Sequence, residues 1–385
     1  MKKQIVFIEY FPTINGYKIA KGLKDTGKYE TVLISFNKVD KNFFGASYDK
    51  IINLEVSQKI NLKNLFFFIR KMFSKEGTKF FTEIKSLNPY IVQINNLDLL
   101  TRLSLFLIDA KVPKIYYAYD ILAFYRKKFS IRENFLKKIE KYYFKNMDGI
   151  LHKGPKGELA PLDYSVNAPD LALLPGCLED WTHVPKKKNA KEIHLAVAGP
   201  PLEGSYYIHS FKDIVKEITS QKIHLHTYGK SLLNDAYFLN EEKNNPYFHY
   251  HDKVSPDELN KSISECHYGL VSDFFNKLIN PLWLKTSVGN KMYNYLEAGL
   301  PIIMTNELQT MAEIVKKHKL GICIDYKDIK ELKNILSNIN YEKLQQNVKI
   351  AQKGLSIINL VKELESFYEK VAESKNRKFL YSLVK

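Results

Sequence analysis

The sequence predicts an α/β protein of two doubly wound domains, on three observations. Its 385 residues exceed what one hydrophobic core holds, since cores stop growing at about 250–300 residues. Short apolar runs alternate with helical patterns in two series, parted by the charged, proline-bearing stretch W-T-H-V-P-K-K-K-N-A-K at 181–191. The stretch Lys285 to Thr305, K-T-S-V-G-N-K-M-Y-N-Y-L-E-A-G-L-P-I-I-M-T, reads as loop, helix and strand, with ligand-binding chemistry at the helix ends.

In the first series, residues 4–8, 31–36, 51–54, 90–94, 114–119, 149–152 and 171–174 are apolar runs suited to parallel strands buried on both faces. Glu9 interrupts the first run, which is already too short for a signal peptide. Beyond it, a turn holding Pro12, Asn15 and Gly16 leads into a helix over 17–24. Gly16 would let backbone approach a ligand, and Asn15 supplies a polar side chain. Asn95 and Asn96 follow the fourth strand and Asp120 follows the fifth, at strand ends where open α/β sheets bind ligands. From its position alone, Asp120 reads as a helix N-cap. Residues 59–73, K-I-N-L-K-N-L-F-F-F-I-R-K-M-F, form an apolar stripe edged with lysine and arginine. Such a helix packs into a core or lies on an anionic membrane surface.

In the second series, strands are expected at 193–198, 223–228, 247–251, 268–272, 301–305 and 322–325. Gly199, Gly229-Lys230 and Asp252-Lys253-Val254 follow the first three, again on the ligand side. Helices over about 344–374 close the chain.

The 285–305 stretch is the most informative. Thr286, Ser287, Gly289 and Asn290 are turn and N-cap types before a helix over 291–298, which Gly299 and Pro301 end. The first turn of a helix offers unpaired N–H groups and the positive end of its dipole, suited to a diphosphate. Lys285 and Lys291 add charge there. Glu297, nearly two turns on, is a carboxylate able to bind a cis-diol such as a ribose.

The run N-K-M-Y-N-Y-L-E-A-G-L-P-I-I resembles the donor-binding helix of the group-1 GT-B glycosyltransferases. D-G-I-L-H…L-L-P-G at 148–176 is similar to the end of their N-terminal domain, and H-D-K-V-S-P at 251–256 to the loop whose backbone reads the nucleobase. The resemblance implies two Rossmann-like domains facing across a cleft. It divides the chain into an acceptor domain at 1–180, a nucleotide-sugar domain at 191–360, and a terminal helix at 361–385 crossing back to the first. It makes Asp120 the candidate catalytic base. Gly199, Gly229, Lys230, Lys253, Val254, Lys285, Asn290, Lys291 and Glu297 become donor-binding residues, and Asn15, Gly16, Asn95 and Asn96 acceptor or cleft residues. Two departures stand out. Gly289 occupies the place of the first carboxylate in the family's E-x7-E pair, and G-P-P-L-E-G at 199–204 lacks the basic residue common after the first strand of the domain.

Composition bounds the partners. The formal net charge is +16, with five arginines among 58 basic residues, a lysine excess that reads first as background compositional bias and, functionally, as attraction to phosphates of a nucleotide or of anionic lipid. No zinc pattern or RNA-binding signature is present, so nucleic acid is not expected. Cys177, Cys266 and Cys323 are far apart, as in a reduced cytosolic protein, and no apolar run is long enough to span a membrane. The expected function is transfer of a sugar from a nucleotide diphosphate to a saccharide, lipid-linked or protein acceptor in cell-surface glycan synthesis. No metal or cofactor is expected beyond the nucleotide sugar, and the place is the cytoplasm or the inner membrane face. A non-catalytic GT-B subunit that positions a partner, and a sugar-nucleotide epimerase, are the alternatives.

Overall fold

A computed structural model describes residues 2–56, 70–95, 101, 105, 108–122, 131–154, 159, 164, 166–185, 192–201, 207, 209–274 and 281–384. Each apolar run becomes a strand, all parallel. The first sheet comprises β1 (Lys3–Glu9), β2 (Tyr29–Ser35), β3 (Lys50–Asn53), β4 (Ile91–Ile94), β5 (Lys114–Ala118), β6 (Gly149–His152) and β7 (Asp170–Ala172). Its order is β3-β2-β1-β4-β5-β6-β7. The second comprises β8 (His194–Val197), β9 (His224–Tyr228), β10 (Phe248–His251), β11 (Tyr268–Val271), β12 (Ile302–Thr305) and β13 (Gly321–Ile324), ordered β10-β9-β8-β11-β12-β13. Isoleucine, valine and leucine dominate the central strands because both sheet faces take helices.

The chain divides into two compact units. One holds the first sheet and the terminal helix Ile357–Val384, and the other holds the contiguous run Gly176–Ser356. The break therefore falls within Pro175-Gly176, and the terminal helix starts at 357, not 361. Residues 181–185, expected as linker, are tied into the second unit, where the His183 N–H donates to the Glu297 carbonyl at 2.7 Å.

In the first unit, the terminal helix lies against the Ile14–Asp25 helix and the start of β6. Glycines permit both approaches. A Cβ on Gly22 would lie 2.8 Å from Val361, and one on Gly149 2.8 Å from Val371. In the second unit, leucine, isoleucine and phenylalanine from β8–β11 and the helices Phe211–Thr219 and Asp235–Asn244 form one core. Of the 59–73 stripe, residues 59–69 lie outside the described residues. Arg70, Lys71 and Met72 are helical, and Phe73 is 85% exposed. No helix among the described residues is long and apolar enough to cross a membrane.

Candidate functional site

Each sheet reverses its winding once, between β1 and β4 in the first unit and between β8 and β11 in the second. Open α/β sheets bind ligands outside the carboxyl ends of strands at such a switch point. Chemistry-bearing side chains gather at both.

In the first unit the residue at the switch point is Glu9, which is fully buried at the end of β1. Its Oε2 accepts the Thr13 N–H at 2.6 Å, and its Oε1 accepts from Asn95 Nδ2. Asn95 Oδ1 in turn accepts from Gln93 Nε2 at 2.7 Å, and Gln93 Oε1 from the Tyr368 hydroxyl at 2.5 Å. Loss of hydration pushes the Glu9 carboxyl up to about 7, against the pull of its Asn95 and Thr13 bonds. Thr13 caps the Ile14–Asp25 helix and shares a 2.9 Å hydrogen bond with Tyr119, the residue before Asp120.

This changes several expectations. Asn15 and Gly16 belong to the first turn of the helix and not to a preceding loop. Gly16 makes room for the Glu9 carboxylate, whose Oε1 a Cβ there would overlap. Asn95 is 1% exposed and spends its amide on Gln93 and Glu9, so it supports the site from beneath and does not line it. Asn15 is also buried, and its Oδ1 has no partner among the described residues. Asn96 lies outside the described residues. Asp120 is exposed at the end of β5 and pairs at 3.7 Å with Lys153, a nearly buried lysine just after β6.

In the second unit, Tyr295 ties the switch point together. Its hydroxyl donates to the Leu270 carbonyl at 2.7 Å and accepts the Ala198 N–H at 3.0 Å. Gly199 and Gly229, after β8 and β9, sit at φ +114° and +125°, backbone that favours glycine. Lys230 pairs with the exposed Asp252 at 3.2 Å and lies over the Tyr250 ring. Lys253 is exposed and Val254 half-buried in the turn after β10.

The expected 285–290 loop is shorter, because Pro281–Thr286 is helical and carries Lys285, exposed, in its last turn. The next helix spans Asn290–Glu297. Gly289 caps it without a side-chain hydrogen bond, whereas the helices at 211 and 256 close their first turns with Ser210–Asp213 and Ser255–Glu258 capping boxes. Beside this uncapped turn, Asn290 is half-buried, with its Oδ1 enclosed and without a partner among the described residues. Lys291 reaches Asp273, just beyond β11, at 3.4 Å. Lys291 and Asn294, one turn apart, are both half-buried on the helix.

Glu297 lies elsewhere. It is fully buried, with one carboxylate oxygen accepting the Leu178 N–H and the other Asn260 Nδ2, both at 2.8 Å. The ribose role expected of it does not fit, because both oxygens face protein donors and neither reaches solvent. The carboxylate fastens the end of this helix to the 178–183 segment.

Residues 206–363 match the family described as glucosyltransferase 3-like, C-terminal domain. Over almost its whole length the chain is also similar to solved structures. Sucrose-phosphate synthase from Thermosynechococcus elongatus superposes with a TM-score of 0.69 at 12% identity, covering 97% of this chain and 100% of that one. Anabaena HepE, solved with UDP and glucose, gives 0.64 at 10%, over 94% and 98%. A variant of S. aureus TarM, solved with Fondaparinux, alpha-GlcNAc-glycerol and UDP, gives 0.64 at 10%, over 95% and 99%. The fold is that of the GT-B glycosyltransferases, and residues 206–363 match a glucosyltransferase domain. No curated protein sequence matches it.

Sequence reasoning gave no role to two acidic residues. Glu9 was visible as a lone charge in an apolar strand, at the end where ligands bind. Asp273 places a carboxylate beside Lys291 from the end of β11, although position 289, where the family pattern puts one, is glycine.

Proposed function

We propose that this chain transfers a sugar from a nucleoside-diphosphate donor, held by the second unit, to an acceptor hydroxyl bound by the first. The observation that carries this reading is the uncapped first turn of the Asn290–Glu297 helix, flanked by the enclosed Asn290 amide and by Lys291. The backbone N–H groups there accept the diphosphate, and Lys291 turns from Asp273 to the charge that builds on the leaving group. Lys285 and Lys230 add cationic attraction. Asn294 takes the ribose diol in place of Glu297, being the half-buried polar side chain one turn beyond Lys291. Gly199 and Gly229 keep the strand ends free of side chains, and the turn at Lys253-Val254 meets the base.

Helix dipole and lysine perform the electrostatic work a metal would otherwise supply, so transfer proceeds without one. If the product is inverted, Asp120 deprotonates the acceptor hydroxyl, with Lys153 holding its carboxylate in place. The acceptor is a saccharide, a lipid-linked glycan or a protein. With a lipid-linked acceptor, residues 59–73 rest on the anionic inner face of the membrane, and vesicle binding then falls with salt.

The test is nucleotide release by the purified chain from a panel of hexose donors, in EDTA, with Lys291→Ala beside the wild type. We expect release by the wild type and, for the variant, at least tenfold weaker donor binding by calorimetry. Equal donor affinity in the two would overturn the site. A second reading, a binding subunit without turnover, is favoured by the Lys291–Asp273 pair, which spends the phosphate-facing cation within the protein. Donor binding without release, with turnover restored by a partner chain, would select it.

A further inference from the structure

The second unit holds a cavity of about 710 Å³ at the far end of the Asn290–Glu297 helix from its uncapped first turn. Eight residues of helix span about 12 Å, so the cavity stands well away from Asn290 and Lys291. Its walls are Thr182 to Pro185, Gly299 and the Tyr341–Gly354 helix. Hydrogen bonds fix these walls. The His183 N–H donates to the Glu297 carbonyl at 2.7 Å, and Gln352 Nε2 donates to the Leu296 carbonyl, also at 2.7 Å. Gly299, at φ +75°, lets the chain close in, since a Cβ there would lie 2.6 Å from the Pro185 ring. The volume falls within the range of about 300–1,000 Å³ for small-molecule sites, most of which are formed before the ligand arrives.

We propose that this cavity binds a short neutral saccharide. Its ionisable lining is balanced, with Glu179 and Glu342 against Lys349 and Lys353. His183 adds no charge at neutral pH, since burial and the nearby Lys261 hold its ring below the usual histidine range against the pull of Glu297. An anion or a cation therefore gains no net attraction here. No phenylalanine, tyrosine or tryptophan lines the cavity among the described residues, so a nucleobase finds no ring to stack on.

What the lining offers instead is hydrogen bonding of both kinds. Gln352 spends its amide nitrogen on the Leu296 carbonyl. Gln345 spends its own on the Tyr341 hydroxyl at 3.0 Å, which in turn donates to the His267 carbonyl. Each glutamine thus brings an anchored carbonyl oxygen, an acceptor. Gln346 and Lys349 bring donors and Glu342 a carboxylate, and none of these three makes a hydrogen bond or ion pair among the described residues. A sugar hydroxyl both donates and accepts, so it uses the two kinds at once. The C–H faces of the sugar ring rest on Pro185, Val184 and the methylene stems of the two lysines. Such a sugar is bound whether or not a donor is turned over at the other end of the helix.

The experiment titrates the full chain with maltose, cellobiose, lactose and diacetylchitobiose, by calorimetry and by saturation-transfer NMR. At least one of these disaccharides should bind. The double variant Glu342→Ala/Gln346→Ala replaces two exposed helical side chains with the best helix former, so it should melt as the wild type does. Its affinity for that disaccharide should fall about tenfold or more, for the loss of two hydrogen bonds. Lys343→Ala, exposed on the same helix but outside the lining, should leave the affinity unchanged. Absence of binding by all four sugars, or equal affinity in the double variant and the wild type, would overturn the proposal.

Discussion

Glu297 separates a structural carboxylate from a ligand-binding one. Replacing it with alanine removes two charge-assisted hydrogen bonds and leaves the Leu178 N–H and the Asn260 amide without their acceptor in a buried place. Each such group costs about 1–3 kcal/mol, so the variant should lose about 4 kcal/mol. For a unit of this size about 1 kcal/mol lowers the melting temperature by roughly 2–4 °C, giving a fall of about 12 °C. Donor affinity, measured below the transition, should stay within about twofold. Glu297→Gln keeps one acceptor but turns an NH2 toward the other donor, so it should fall between the two. Differential scanning calorimetry and nucleotide titration together make the test. An unchanged melting temperature with donor binding weakened tenfold would show that the carboxylate meets the ribose after all.

Three further outcomes follow from the same geometry. Because burial raises the Glu9 carboxyl to about 7, the folded chain keeps a proton that the unfolded chain releases from about pH 4.5. Stability should therefore drop by about 3 kcal/mol as pH rises from 4.5 to 7 and level off above, while Glu9→Gln is flat across that window in denaturant titrations. Gly269→Ala would drive a methyl into the buried Tyr295 ring, so it should cost about 1–3 kcal/mol and lower the melting temperature. Asp120→Asn should leave the fold and donor binding intact, because the carboxylate is exposed and its 3.7 Å pair with Lys153 is long; turnover falls by at least a hundredfold if Asp120 is the base and stays within a few fold if it only positions.

Much of the architecture was legible because parallel strands covered on both faces are apolar without a break. All thirteen strands appear where a strand was read, with ends shifted by one or two residues, although β9 and β10 alternate histidine with apolar residues. What stayed hidden depends on partners distant in sequence. Glu297 sits six residues after Lys291 and looked like the far end of one ligand site, yet its fate is set by Leu178 and Asn260, 119 and 37 residues away. Asn95 looked like a strand-end amide open to ligand until Glu9 was found beneath the Ile14–Asp25 helix. The alternation in H-L-H at 224–226 and H-Y-H at 249–251 was plain in the chain. Which rings meet rests on the register of three strands, which pairs His226 with His249 and His194 with His224.

The return of the Ile357–Val384 helix to the first unit bears on the order in which the protein is made. All strands of the second unit lie in the unbroken run Gly176–Ser356, so they have left the ribosome before the other unit has its last helix. The earlier sheet must wait, with the faces around Gly22 and Gly149 bare and Gln93 lacking the Tyr368 hydroxyl, until the final residues emerge. The half translated first is thus completed last. A stop codon near residue 356 would spare the second unit and strand the first with an unsealed core.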